Sequence, residues 1–113
     1  MQVLFKSRHP EADELRELTE RRVRFVLRRL GWLVPRAEVR MSDVNGPRGG
    51  IDKRCQVALR TEGAGMVVVA SVASSWRNAL DNALARAARF LVRELRRSSE
   101  AHRLRQRLIG IEG

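Results

Sequence analysis

Two short runs between residues 37 and 60 alternate apolar and polar side chains, a wholly apolar run follows at 66–70, and a glycine-rich turn separates each run from the next. In the first, Ala37, Val39 and Met41 alternate with Glu38, Arg40 and Ser42. In the second, Cys55, Val57 and Leu59 alternate with Arg54, Gln56 and Arg60, and residues 66–70 make the third. A period of two marks a strand with one buried face. Asn45-Gly46-Pro47-Arg48-Gly49-Gly50 and Glu62-Gly63-Ala64-Gly65 are short, turn-forming links of the kind that join hairpins. This stretch therefore predicts an antiparallel meander whose apolar face needs a cover.

The flanking sequence offers that cover. Residues 1–6 alternate weakly, with Val3 and Phe5 on one side, and read as a short strand. Pro10 suits the first turn of a helix. From Glu11 to Leu30 the apolar positions Ala12, Leu15, Leu18, Val23, Val26 and Leu30 recur at helical spacing, and Gly31 is the expected stop. Acids crowd the start of this helix and arginines its end, which complements the helix dipole. Ser74 or Ser75 can cap a second helix beginning near Trp76, with Leu80, Leu84, Ala87, Leu91 and Leu95 on one face. The order is β-α-β-β-β-α. A right-handed crossover should make the first two strands parallel. The expected fold class is α+β: a four-stranded mixed sheet with two helices packed on one face. Residues 1–97 form the expected single domain, and 98–113 a basic tail or an extension of the last helix.

Charge narrows the function. The chain carries a formal charge of +10 over 113 residues, and 21 of its 23 basic side chains are arginine. Residues 1–60 hold 14 basic against 8 acidic side chains and residues 61–113 hold 9 against 5, so the excess is spread through the fold. An Arg-for-Lys bias in a GC-rich genome would explain the choice of arginine. A charge of this size still implies a polyanionic partner, nucleic acid foremost. No apolar run is long enough to span a bilayer, and no apolar signal core precedes Glu11 and Asp13, so a cytoplasmic protein without a membrane partner is expected. Cys55 is the single cysteine, and His9 and His102 are the two histidines, which leaves no ligand set for structural zinc and no expected cofactor. Nucleophile, base and orienter cannot be assembled from this inventory, so neither an enzyme nor a small-molecule substrate is expected.

On the second helix Arg86, Arg89, Arg93 and Arg97 fall on the side opposite Leu80, Leu84 and Leu91, with Glu94 the one acid within the run. A solvated face is the plain explanation of such a run; the scarcity of compensating acids favours a phosphate-binding ridge. Arg21, Arg24 and Arg28 form a shorter ridge on the first helix, and the two together predict one broad RNA-binding surface. Arg48 at the hairpin tip, with Lys53 and Arg54 where the strand resumes, completes the candidate RNA-binding set. Other notable residues have structural explanations. Cys55 reads as a buried strand thiol, and Asp43 and Asp52 as turn caps or salt-bridge partners of Lys53 or Arg54. His9 reads as a solvated residue. Trp32 and Trp76 read as core-closing, with stacking on an RNA base the alternative for either.

The string Ser-Asp-Val-Asn-Gly-Pro-Arg-Gly-Gly-Ile-Asp-Lys-Arg-Cys, residues 42–55, closely resembles a motif of bacterial hibernation-promoting factors, also called ribosome-associated inhibitors or sigma-54 modulation proteins. The element order, the hairpin position and a basic last helix entered through Ala79-Leu80-Asp81 also match, over about residues 1–97. The resemblance implies a fold related to double-stranded-RNA-binding domains. It also implies binding to ribosomal RNA in the decoding channel of the small ribosomal subunit, where messenger and transfer RNA are blocked and translation is inhibited. The family's basic positions on the last helix map onto Arg86, Arg89 and Arg93. Two features depart from the family. Ser74-Ser75 stands where an acidic cap is usual, and the residues after Arg97 cannot supply the dimerisation domain of long members, so the likeness is to a short form. A generic structured-RNA-binding module and a protein-interaction regulator of transcription are the rival expectations.

Overall fold

The computed structural model describes residues 1–44, 52–63 and 65–112, with backbone alone at 98 and from 100 onward. The elements run β1 (Gln2–Ser7), α1 (Pro10–Asp13), α2 (Arg16–Val26), a 3-10 turn (Gly31–Leu33), β2 (Arg36–Asp43), β3 (Lys53–Thr61), β4 (Gly65–Ala73) and α3 (Trp76–Glu112). The fold is α+β, with a four-stranded mixed sheet in the order β1-β2-β3-β4. β1 and β2 are parallel; β2, β3 and β4 form the antiparallel meander.

Register explains why the alternating runs pair as they do. Ala37 lies opposite Leu59, Val39 opposite Val57 and Met41 opposite Cys55, so the apolar halves of β2 and β3 fall on one face, and all six side chains are buried. A slip by one residue would turn that set to solvent. Val67 continues the buried face into β4, while Val3 and Phe5 flank it from β1. α3 lies over β3 and β4 and α2 over β1, and Leu80, Leu84, Ala87 and Leu91 of α3 are fully buried between helix and sheet. At about 1.5–3 kcal/mol for each large apolar side chain removed from water, this layer is the main source of stability.

The first helical region departs from the expected single helix. It breaks at Leu15, whose N–H bonds to the Ala12 carbonyl at 2.9 Å, and α2 ends at Val26. From there the chain tightens: Leu30 bonds back to Leu27 and Leu33 to Leu30, each at 2.9 Å. At three residues per turn, Leu27, Leu30 and Leu33 stack on one side, and all three are buried. Gly31 therefore opens a 3-10 turn and does not cap an α-helix. The same period turns Trp32 outward, 68% exposed, against the expectation that it closes the core. Trp76 does close it: the indole is buried, its Nε1–H donates to the Ser42 carbonyl at 3.2 Å, and the His9 ring lies 5.9 Å away.

The last helix starts where expected, and Ser75 is the cap, its Oγ accepting from the Asn78 N–H at 3.2 Å. It then runs unbroken to Glu112, so residues 98–112 are a helix extension and not a loose tail. At about 1.5 Å per residue its 37 residues reach about 55 Å, which sets the 66 Å long dimension of the molecule. β4 continues to Ala73, beyond the expected end at residue 70.

Candidate nucleic-acid interface

Arg86, Arg89 and Arg93 all stand on the exposed side of α3, away from its leucines. Together with Phe90 and Val69 they line one shallow depression between the helix and the β4 edge. Arg86 is positioned by its Nη1, which donates to the Ala70 carbonyl at 3.0 Å. Among the described residues, no acidic side chain forms an ion pair with Arg86, Arg89 or Arg93. Glu94, the one acid of the run, is taken by Arg97, Oε1 to Nη1 at 3.3 Å. Arg89 and Arg93 continue into a second depression with Ala88, Val92 and Arg96. Three guanidiniums beside a 43% exposed aromatic ring combine donors whose geometry suits phosphate oxygens with an apolar surface of the kind on which a base can stack.

The arginines of the first ridge are placed differently. Arg24 bonds to Glu20 Oε1 at 3.3 Å and to the Met1 carbonyl at 3.1 Å. Arg28, now beyond the end of α2, lies over the Phe25 ring at 4.4 Å and donates to the Phe25 carbonyl at 2.8 Å. Arg21 is exposed. Arg24 reaches the start of β1, Arg86 overhangs β4, and these are the two opposite edges of the sheet. Between the ridges, Arg22 ties the two helices through Asp81 Oδ1 at 2.9 Å.

At the hairpin, Arg48 and the glycine-rich tip lie outside the described residues. Lys53 is turned inward: its Nζ meets Asp43 Oδ2 at 2.7 Å and Asp52 Oδ1 at 3.5 Å, 4.9 Å above the Trp76 ring. The Asp43 carboxylate holds the Lys53 ammonium above its ordinary pKa against some desolvation. That pairing is the salt-bridge role expected for the two aspartates, and it commits Lys53 to the fold. Arg54 lies on the helix-free face of the sheet, with Nη2 3.1 Å from Gln56 Oε1.

Cys55 is fully buried, and burial pushes its thiol up to about 12 although Arg54 pulls the other way. It is a core residue that stays protonated at neutral pH. Among the described residues no group of three or more His, Cys, Asp and Glu is placed to hold a metal, and no helix is long and apolar enough to cross a membrane.

Phe90 escaped the sequence reading although the signal was present, since it sits four residues after Arg86 and three before Arg93 on the ridge's own face. The basic residues of the helix-free face (Lys6, Arg36, Arg40 and Arg60) were also missed; they occupy the polar phase of the same alternation that revealed the strands. Compared with models of known protein families and with curated proteins, the chain matches none.

Proposed function

We propose that this chain is a ribosome-associated hibernation factor that binds ribosomal RNA of the small subunit in the decoding channel and inhibits translation by excluding messenger and transfer RNA. The observation that carries the proposal is the trough of Arg86, Arg89, Phe90 and Arg93, whose guanidiniums have no acidic partner among the described residues. The likeness of residues 42–55 to the hibernation-factor motif supplies the ribosomal target. The mechanism is occupancy. Guanidiniums neutralise backbone phosphates and displace counterions, the rigid helix keeps them in register, and the body of the domain fills the space. No bond is made or broken.

Phosphate contacts position the protein without selecting among RNAs, so selectivity falls to the hairpin around Arg48. Co-sedimentation with small subunits, whole ribosomes and an unrelated RNA hairpin tests the proposal. The expected result is strong preference for assembled small subunits, with Arg48→Ala losing that preference while keeping its affinity for the hairpin. Equal affinity for every structured RNA would make the chain a generic RNA-binding module. Binding insensitive to salt would point to a protein partner.

A further inference from the structure

The face of the sheet without helices carries a charge pattern that the fold does not require. Strand alternation and register put Lys6, Arg36, Arg40, Arg54 and Arg60 on this face, and Glu38 is its one acid among the described strand residues. Glu38 is already shared by Lys6 at 3.3 Å and Arg40 at 3.2 Å. Burial alone would raise its pKa, but these two cations overcome that and hold the carboxyl below its ordinary value, so it stays an anion. Arg36, Arg54 and Arg60 are left without an acidic partner among the described residues.

Arg36 and Arg60 lie directly opposite each other across β2 and β3. Like charges in that relation destabilise a sheet. Both are exposed, and with Glu38, Ala58 and Met66 they line a shallow depression. An anion seated between them would turn the repulsion into attraction. An apolar strip runs alongside: Met66, Val68 and Val72 of β4 are 60%, 56% and 42% exposed. Arg60 lies beside Met66 and Arg54 beside Val72, so a cation flanks the apolar strip at each end of β3, with Gln56 and Ala58 between them. At about 3.4 Å per residue, Arg54 and Arg60 stand about 20 Å apart.

We propose that this face is a second RNA-binding surface, which takes a short single-stranded segment with its phosphates on the arginine row and its bases against the β4 strip. Charge selects this occupant over a second copy of the chain, which would set five cations against five. A free single strand presents both phosphates and unstacked bases, whereas a duplex shields its bases and would leave the strip bare. The domain would then hold RNA on both of its faces at once. The proposal rests on the sheet residues and would survive the failure of the ribosomal reading.

The test uses the full chain and an octameric oligouridylate, with stoichiometry read by native mass spectrometry and affinity by titration over a salt series. The native protein should hold two oligonucleotides. Arg36→Gln with Arg60→Gln should hold one, and its summed salt slope should shrink by about 1.4, from about 0.7 per lost phosphate contact on a single strand. Arg86→Ala, Arg89→Ala and Arg93→Ala together should also hold one, bound at the sheet; loss of both oligonucleotides from this variant would overturn the proposal. Two oligonucleotides retained by the Arg36/Arg60 variant would overturn it too, whatever the ridge variant does. Arg36→Lys with Arg60→Lys keeps the charge and should restore the second molecule, which separates lost contact from lost fold. Displacement from the sheet by polyglutamate as readily as by oligouridylate would assign the face to an acidic protein instead.

Discussion

α2 and α3 both present arginines at three- to four-residue intervals on the side away from the core, yet their surroundings differ. On and just after α2, Arg22, Arg24 and Arg28 make bonds to Asp81, Glu20, the Met1 and Phe25 carbonyls and the Phe25 ring. On α3, Arg86 bonds to a carbonyl, while Arg89 and Arg93 are exposed and line the same shallow depressions. A guanidinium that already has a partner must give it up to bind a phosphate, so the same spacing leaves more of the α2 guanidiniums engaged than of those on α3. The acids that engage the α2 arginines come from two places, Glu20 on α2 itself and Asp81 on α3. Asp81 belongs to α3 and yet neutralises α2.

The sharpest way to break that comparison is to strip each ridge in turn. Arg86→Ala, Arg89→Ala and Arg93→Ala together are expected to weaken binding to small ribosomal subunits by about a hundredfold or more at moderate salt. The log–log salt slope should fall by about 0.7–0.9 for each phosphate contact removed. Arg21→Ala, Arg24→Ala and Arg28→Ala together should weaken it only a few-fold. Equal losses in the two triples, measured by filter binding across a salt series, would abolish the distinction between the helices.

Lys53 extends the comparison to a cation that is almost wholly engaged. Lys53→Ala should lower the melting temperature, because Asp52 is buried and loses a partner, while RNA affinity stays at the native value. Lost affinity at unchanged melting temperature would return Lys53 to the binding set. The pH dependence follows with its sign. Lys53 has a raised folded pKa, so its contribution is complete below its unfolded value of 10.5 and is lost as pH rises through the folded one. Cys55 acts in the same direction. Its thiol ionises near 9.0 when unfolded and near 12 when folded, so stability declines as pH climbs from 9.0 to about 12. Cys55→Ala should flatten that decline and Lys53→Ala should trim its upper part, which urea titrations at stepped pH would resolve. Cys55→Ser should cost about 1–3 kcal/mol at neutral pH, from a hydroxyl placed in an apolar strand position, with RNA binding intact.

The parts of the molecule that were legible in the sequence share a physical cause. Strand alternation, the Ser75 cap and the leucine stripe of α3 are local signals, and each is read from residues within a turn or two. The Leu27-Leu30-Leu33 stack was hidden because its three-residue period lies inside a run that also fits an α-helix, and Trp32 was misplaced with it. The pairing of Arg36 with Arg60 depends on register between β2 and β3, which no single strand encodes. The ridge on α3 was visible as a face, but that Arg86, Arg89 and Arg93 have no acidic partner among the described residues depends on how Glu94 and Asp81 are used elsewhere.

Thr19 offers a finer probe of α2. It is fully buried, and its Oγ1 has no hydrogen-bond partner among the described residues. Thr19→Val removes the buried hydroxyl at nearly constant volume, so a gain of about 1 kcal/mol is expected in denaturant unfolding, without change in RNA affinity. A loss of stability instead would mean that the hydroxyl is satisfied in solution and that the core side of α2 is better made than its geometry indicates.

The smallest effect tests the link between the two helices. Arg22 Nε and Nη2 converge on one oxygen of Asp81, at 3.0 and 2.9 Å, and both side chains are about one-third exposed. Half-solvated pairs of this kind contribute about 0.2–1 kcal/mol, screened by salt. A double-mutant cycle with Arg22→Ala and Asp81→Ala should therefore return a coupling near 0.5 kcal/mol that fades as salt is raised. The informative part is the RNA titration of the same four proteins. Arg22→Ala leaves Asp81 as an unpaired anion on the ridge-bearing helix, several residues before Arg86. If the bridge serves only to hold α2 against α3, RNA affinity should follow the small stability change and no more. An affinity loss well beyond it, cancelled when Asp81 is also replaced, would show that Arg22 works by keeping α3 free of uncompensated negative charge. The paired helix would then be part of what makes the unpaired one fit to bind.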